Sequence, residues 1–301
     1  MEKLKKAIRE PEKIVPYLTE RWFEKKKSLV YRHLLVRHGE AIIKRKVNGF
    51  DMYLDLSDRG ISRDLAGAGI REPFTTRAYE RALAELKTEV SGPVQVFEIG
   101  ANIGYYALTA TKVLGVDGMI HGVEADPENV EMCKRNIKLN GWDERITVEN
   151  VGLSSESGSQ TLYQSGHSNL HTMAKEGIKT KGSQRQVSEI EVDVLTGEEY
   201  LSKIGFSEGD INAVRMDVEG FEAEVFRGIE AVVGSDSPFV LQVEFHPKIL
   251  SQDDTEYLID LLSSNGFEIR SAANGARPYE ITQLEELSNF STLELVATRN
   301  L

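Results

Sequence analysis

Residues 96–106 read VFEIGANIGYY. A hydrophobic run reaches the carboxylate of Glu98. Two glycines, Gly100 and Gly104, then bracket Asn102 before the chain turns aromatic. That order predicts a strand, a tight turn and a helix start, because glycine accepts backbone angles and close approaches that a side chain forbids. In an open α/β sheet, ligands sit beyond the carboxyl ends of the strands, which is where this turn falls.

Outward from the turn the pattern is regular. Strands are expected over 94–99, 118–125 and 146–151, with helices over 103–114 and 127–139 between them. Asp126-Pro127 supplies an N-cap carboxylate and a proline at the first helical position, and Asn140-Gly141 supplies a stop. The second half continues with strand 211–217, helix 220–229, strand 239–246 and helix 253–264, and strands near 266–271 and 292–299 complete the sheet. Alternation of this kind predicts an α/β fold with a mostly parallel, doubly wound sheet covered on both faces. An insertion at about 152–195 contains a possible hairpin of TLY (161–163) with SEIEVDVL (188–195).

Ser91-Gly92-Pro93 marks a boundary, so residues 91–301 read as one domain and 1–90 as an N-terminal extension. The extension begins with a charged helix over 2–28 and the basic run Lys25-Lys26-Lys27. Short strands broken at Asn48-Gly49 follow, then a helix over TTRAYERALAEL (75–86).

Of the 301 residues, 40% are hydrophobic and 28% charged, enough to bury a full core and unlike a disordered or fibrous chain. The net charge of -12 is unevenly spread: residues 1–48 hold 14 Lys+Arg against 6 Asp+Glu, leaving 22 against 42 for the rest. The overall charge speaks against a surface built wholly for nucleic acid. The basic arm is expected to dock on an anionic ligand or on the acidic body of a second copy, giving a homo-oligomer. No apolar stretch approaches the ~20 residues of a membrane span, and MEKLKKAIREPEK lacks the apolar core of a signal peptide, so a cytoplasmic protein is expected. The sole cysteine, Cys133, excludes an internal disulfide and falls in line with Val130 and Ile137 on one helical face, a core position. No metal site is expected, since His167 and His171 in the insertion have no third ligand nearby.

A dinucleotide loop would read G-x-G-x-x-G, whereas this one reads Gly100-x-x-x-Gly104, which speaks against a pyrophosphate cradle. Glu124 ends the second strand twenty residues after Gly104, where a carboxylate accepts hydrogen bonds from both hydroxyls of a ribose. An adenosine cofactor without phosphates and with cationic groups is S-adenosylmethionine, which Glu98 or Asp217 would favour electrostatically. In MDVEG (216–220), Asp217 ends a strand and Glu219 stands just before a helix, so both carboxylates can enter one cleft, although acidic residues also favour helix starts for purely structural reasons. His246, in EFHP (244–247), would face the same mouth as a base or as a structural hydrogen-bonding group.

Three segments, FEIGANIGYYAL, VEADPENVEMCKRNIKLNG and RMDVEGFEAEVFRG, together resemble the FkbM family of S-adenosylmethionine-dependent methyltransferases, over about residues 50–250. The resemblance implies the class I Rossmann-like methyltransferase fold and O-methylation of hydroxyls on small molecules or sugars. It implies that Glu98, Gly100, Asn102 and Gly104 surround the methionine end of the cofactor. Glu124 would hold the ribose, with Asn150 and Val151 near the adenine. Glu219, helped by Asp217 or His246, is expected to handle the acceptor proton. Arg215 and Met216 stand where the family often has lysine and an aliphatic residue, and the basic arm lies outside the shared pattern.

Rival readings differ on specific residues. A nicotinamide-dependent dehydrogenase would share the fold and Glu124 but not the glycine spacing. A nucleic-acid methyltransferase would use the basic arm, yet the chain has no Pro-Pro pair for an Asp/Asn-Pro-Pro-aromatic site, and Cys133 falls mid-helix. A binding module on a relic scaffold would have no need for the intact acidic and glycine positions.

Overall fold

The computed structural model describes residues 42–58, 60–165, 170–175, 188–275, 277–281 and 283–301. The charged helix over 2–28, the rest of the basic arm up to residue 41, and His167 lie outside these residues.

β1 (Ile42–Val47) and β2 (Phe50–Asp55) pair antiparallel through Asn48 and Gly49, whose φ values of 46° and 97° suit an Asn-Gly hairpin turn. α1 (Ile61–Ala68) and the longer α2 (Pro73–Glu89) follow. Apolar residues of all four elements share one hydrophobic cluster with Val94, Val96 and Val240 of the central sheet, so this segment covers a sheet face rather than standing apart.

The regular alternation then begins with β3 (Val94–Ile99), α3 (Tyr105–Leu114), β4 (Gly118–Glu124), α4 (Pro127–Leu139) and β5 (Ile146–Asn150). Asp126 caps α4 by accepting from the Glu128 and Asn129 backbone N–H groups at 2.9 and 3.0 Å. Cys133 is buried in the same cluster as Val130 and Ile137. The insertion contributes β6 (Gly152–Leu153), β7 (Gly158–Gln164) and β8 (Ser188–Leu195), which form a separate three-stranded sheet in the order β6-β8-β7. Its hairpin pairs Thr161 with Glu191 and Tyr163 with Glu189.

The second half runs through α5 (Gly197–Lys203), β9 (Ala213–Met216), α6 (Glu222–Gly228), α7 (Glu230–Val233), β10 (Phe239–Phe245) and α8 (Gln252–Ser264). It ends with β11 (Glu268–Asn274), β12 (Arg277–Tyr279) and β13 (Leu293–Arg299). The main sheet has the order β12-β11-β13-β10-β9-β3-β4-β5. The run from β10 to β5 is parallel, whereas β13 is antiparallel to both β10 and β11. Every residue of β9, β10 and β13 is buried, as apolar strands covered on both faces should be. Phe97, Ile99, Val214 and Val243 face a second cluster, built with residues of α5 to α8.

β3 and β9 are neighbours at the centre, and from them the chain winds outward in opposite directions. The carboxyl ends of these two strands therefore form the switch point at which an open α/β sheet leaves a crevice. Among the described residues no helix is long and apolar enough to cross a membrane.

Candidate active site

The two central loops touch backbone to backbone. Gly100 and Ala101 N–H both donate to Val123 O at 3.0 Å, and Asp217 N–H donates to Ile99 O at 3.1 Å. A Cβ on Gly100 would lie 2.1 Å from the carbonyl oxygen of Asp217, and Gly100 has φ +76°, so this position requires glycine. Gly104, at φ +89°, would place a Cβ 2.8 Å from Cys133 Sγ and so lets α3 start close against α4. α3 begins at Tyr105, not 103, because Asn102 and Gly104 adopt left-handed backbone angles that no helix continues. α6 likewise begins at Glu222 rather than 220, since Glu219 has φ 53° and Gly220 φ 99°. A glutamate held in that sparsely populated region is costly and persists only where the surrounding structure over-determines it.

Between the loops lies a cleft lined among others by Gly100, Asn102, Glu124, Val151, Asp217 and Glu219. On one wall Glu124 accepts from Asn102 N–H at 2.7 Å through Oε2 and from Asp126 N–H at 2.8 Å through Oε1. Burial raises its pKa, and the two backbone donors only partly offset this. Each carboxylate oxygen keeps a second lone pair, so the orientation is set while acceptor capacity remains. Asp217 and Glu219, after β9 on the other side of β3, line the same cleft.

His171, Thr172 and Met173 of the insertion also line the cleft. Thr172 Oγ1 donates to Glu219 O at 2.8 Å, and His171 Nδ1 lies 3.2 Å from Asp126 Oδ2. Burial opposes charge on His171, but the contacts to Asp126 outweigh it and raise its pKa. Burial likewise opposes ionisation of Asp126, yet hydrogen bonds from His171 and Gln164 pull its pKa down to about 2. His171 thus joins the cleft as half of an ion pair.

Behind the acidic wall lies a buried charge network. Arg215 reaches Asp217 Oδ2 at 3.1 Å, Glu98 Oε1 at 3.3 Å and Gly100 O at 3.1 Å, and stacks over Tyr106 with its guanidinium carbon 4.1 Å from the ring centroid. Arg71, from the turn before α2, pairs with Glu72 at 2.5 Å and lies 3.8 Å from both Asp217 and Glu244. His246 places Nδ1 2.8 Å from Glu222 Oε1 and Nε2 3.3 Å from Glu219 Oε2. Burial opposes its charge, but Glu222 and the hydrogen bonds to Glu219 and Glu222 raise its pKa well above the usual value.

Of the residues singled out in the sequence, Gly100, Asn102, Glu124, Val151, Asp217 and Glu219 line one cleft. Four others do not. Gly104 instead lets α3 start close against Cys133 of α4. Glu98 is fully buried behind the loop against Arg215, and burial raises its pKa to about 8, so the charge expected to face the methionine end is turned away from the cleft. Asn150 spends its side-chain amide on the carbonyls of Glu124 and Ala125 at 3.0 and 2.8 Å, which fixes the exit of β4. His246 is not a free base, because its two nitrogens are committed to carboxylates that keep it charged. Sequence reasoning missed Arg71, Glu72 and Glu244. Only the spacing of Glu244 and His246, two apart at the end of a strand and so on one face, carried a readable signal.

Methyltransferase FkbM domain is the family matched by residues 98–269, more than half of the chain. A protein-L-isoaspartate O-methyltransferase of Methanopyrus kandleri is 29% identical over 139 residues, 46% of this chain and 60% of that protein. A protein-L-isoaspartate O-methyltransferase 1 of Archaeoglobus fulgidus is 33% identical over 58 residues, 19% of this chain and 27% of that protein. The chain thus spans less than two thirds of the length of these curated relatives. Among solved structures, M. jannaschii TYW2 in complex with AdoMet aligns with a TM-score of 0.40 at 13% identity, covering 86% of this chain and 85% of that one. The β3 and β9 loops with their glycines, Glu124 at the end of β4 and the MDVEG segment all fall inside the matched region, and the chain belongs to the FkbM family of S-adenosylmethionine-dependent methyltransferases.

Proposed function

We propose that the chain transfers the methyl group of S-adenosylmethionine to a hydroxyl oxygen of a small molecule or sugar. The observation that carries this reading is that Asp217 and Glu219, after β9, line the same switch-point cleft as Glu124 at the end of β4, with β3 between the two strands. Glu124 suits the ribose hydroxyls, and Gly100 and Asn102 suit close approach of the methionine end. Val151 offers an apolar contact for the adenine. Asp217, anchored by Arg215, lends negative charge where the sulfonium and ammonium would lie.

The cofactor supplies an electrophilic methyl group, and the protein must align it in line with the acceptor oxygen. Positioning contributes most of the acceleration in such displacements. Glu219 is the side chain that activates the acceptor hydroxyl, an effect typically contributing about 10²- to 10⁴-fold. Its backbone is held by Thr172 and its carboxylate by His246, so the group is oriented before an acceptor arrives. The acidic wall also repels a phosphate backbone, which favours a small hydroxylated acceptor over nucleic acid.

The test is methyl transfer from radiolabelled S-adenosylmethionine to a panel of sugars and hydroxylated small molecules, followed by alkali treatment. An ether survives alkali, whereas a carboxyl methyl ester releases methanol. Alkali-stable label on a hydroxylated acceptor supports the proposal. Alkali-labile label on protein carboxyls, or label on nucleic acid alone, overturns it.

A further inference from the structure

The ends of β9 and β10 bring an imidazole and two carboxylates to one point behind the cleft. One ligand atom from each of Glu219, Glu244 and His246 lies within 4.8 Å of the other two. We infer that these three side chains hold a divalent transition-metal ion, an ion for which nothing in the sequence pattern prepares.

Four observations support the site. First, His246 Nε2 is 3.3 Å from Glu219 Oε2 and 3.7 Å from Glu244 Oε1. Ligand atoms bound at about 2.1 Å, at angles between octahedral and tetrahedral, stand roughly 3.0 to 3.4 Å apart. Small shifts of the side chains suffice to close on an ion.

Second, the other imidazole nitrogen is already oriented. Nδ1 lies 2.8 Å from Glu222 Oε1, and the same oxygen accepts from Gly220 N–H at 2.8 Å. A carboxylate that holds one nitrogen of a histidine and turns the other toward a metal is the usual outer support of such sites.

Third, Glu244 is nine-tenths buried and its Oε2 accepts no hydrogen bond, with Arg71 3.8 Å from that oxygen and His246 Nε2 3.7 Å from the other. A carboxylate oxygen kept from water without a donor is costly, and an ion on that carboxylate relieves the cost. Fourth, the local charges do not balance. Glu72, Asp217, Glu219, Glu222 and Glu244 face Arg71, Arg215 and His246, with Arg215 shared by Glu98. With His246 neutral, as a metal ligand must be, five carboxylates face two guanidinium groups, and one dication offsets most of the surplus of three negative charges. One imidazole with two carboxylates suits Mn²⁺, Fe²⁺, Co²⁺ or Zn²⁺ better than the all-oxygen shell that Ca²⁺ prefers.

Glu219 also lines the cleft, so the ion stands within reach of an acceptor hydroxyl entering there. The consequence for catalysis rests on the methyl-transfer reading, while the ion site itself does not. An oxygen on the ion has its O–H acidified, and the proton passes to the Asp217 carboxylate. The oxygen lone pair then forms the C–O bond as the C–S bond breaks and its electron pair returns to sulfur. Glu219 in this scheme activates the hydroxyl through the ion it holds.

The experiment uses the full chain, stripped with EDTA and dialysed, then titrated with Co²⁺ by calorimetry and by visible absorption. One Co²⁺ per chain with visible absorption bands is expected for the wild type. Glu222→Gln should weaken binding by about 10- to 100-fold while leaving one site, the range found for outer partners of metal-bound histidines. Glu244→Gln should abolish the one-to-one binding, with circular dichroism showing the fold retained. Absence of saturable Co²⁺ binding by the wild type overturns the site, as does wild-type affinity in both variants. S-adenosylmethionine affinity measured on the same samples separates the two readings: a wild type that binds the cofactor but no Co²⁺ sinks the ion site alone.

Discussion

Gly100 and Asp217 meet so closely that a Cβ on the glycine would stand 2.1 Å from the carbonyl oxygen of the aspartate. That contact brings the ends of β3 and β9 into register at the mouth of the cleft, and it belongs to backbone atoms that cannot swing away. Gly100→Ala should therefore cost on the order of 3 kcal/mol or more, from left-handed strain plus overlap. Gly141→Ala is the control, because Gly141 has φ +69° with no atom within 4 Å of its Cβ position. Strain alone should cost about 1 kcal/mol there. Equal losses in denaturant unfolding would show that the close approach carries no energy.

Glu124→Gln keeps one acceptor oxygen for the loop N–H groups but removes the charge and half the acceptor capacity offered to a ribose. S-adenosylmethionine and S-adenosylhomocysteine should both bind at least about tenfold more weakly, the worth of roughly one good hydrogen bond to a charged group. Unchanged calorimetric affinity for both would remove Glu124 from the cofactor site.

Glu219→Gln preserves shape and should lower turnover by about 10²-fold or more on a real acceptor, with cofactor affinity near wild type. Asp217→Asn should lose both turnover and cofactor affinity if, as proposed, its charge faces the cationic end of the cofactor. Full turnover in Glu219→Gln would move activation of the hydroxyl to another group.

Glu98 titrates near 8 in the fold against an ordinary 4.5, because burial outweighs the attraction of Arg215. A raised acid pKa means that the folded state holds a proton the unfolded state has lost. The stability this withholds is absent below 4.5 and grows as pH rises toward about 8. Glu98→Gln carries no such penalty, so its melting temperature should gain on the wild type from pH 5 to 8, by roughly the effect of a few kcal/mol. Parallel melting curves across that range would contradict a buried neutral Glu98.

The Asp126–His171 pair should tie the insertion to α4 over a limited pH window. Asp126, with a folded pKa of about 2 against 3.8, contributes stability present above 3.8 and lost as pH falls toward 2. His171, with its pKa raised from 6.5, contributes stability present below 6.5 and lost as pH rises through its folded value. Protection of the 170–175 backbone against hydrogen exchange should therefore peak between about pH 4 and 6.5 and disappear in His171→Gln. A flat profile in the wild type would show that the pair contributes nothing.

Local chemistry alone determined most of the scaffold. The alternation of apolar runs with amphipathic helices announced the parallel sheet. Asp126-Pro127 and Asn140-Gly141 marked the ends of α4, Asn48-Gly49 the first hairpin, and the glycines of VFEIGANIGYY the ligand turn. Each signal lies within a few neighbouring residues, where backbone sterics and capping act without help from distant chain. What only the tertiary structure decided is which charges face the cleft. Glu98 looked like a site residue, yet Arg215, 117 positions away, draws it behind the loop. His246 read as a possible base until Glu222 and Glu219 closed on its two nitrogens. Arg71 had no motif at all, and it meets Glu244 because the helix that follows it, α2, packs against β10, β11 and β13. The charge state and direction of a buried side chain depend on every group the fold sets against it, and sequence spacing carries no record of those distances.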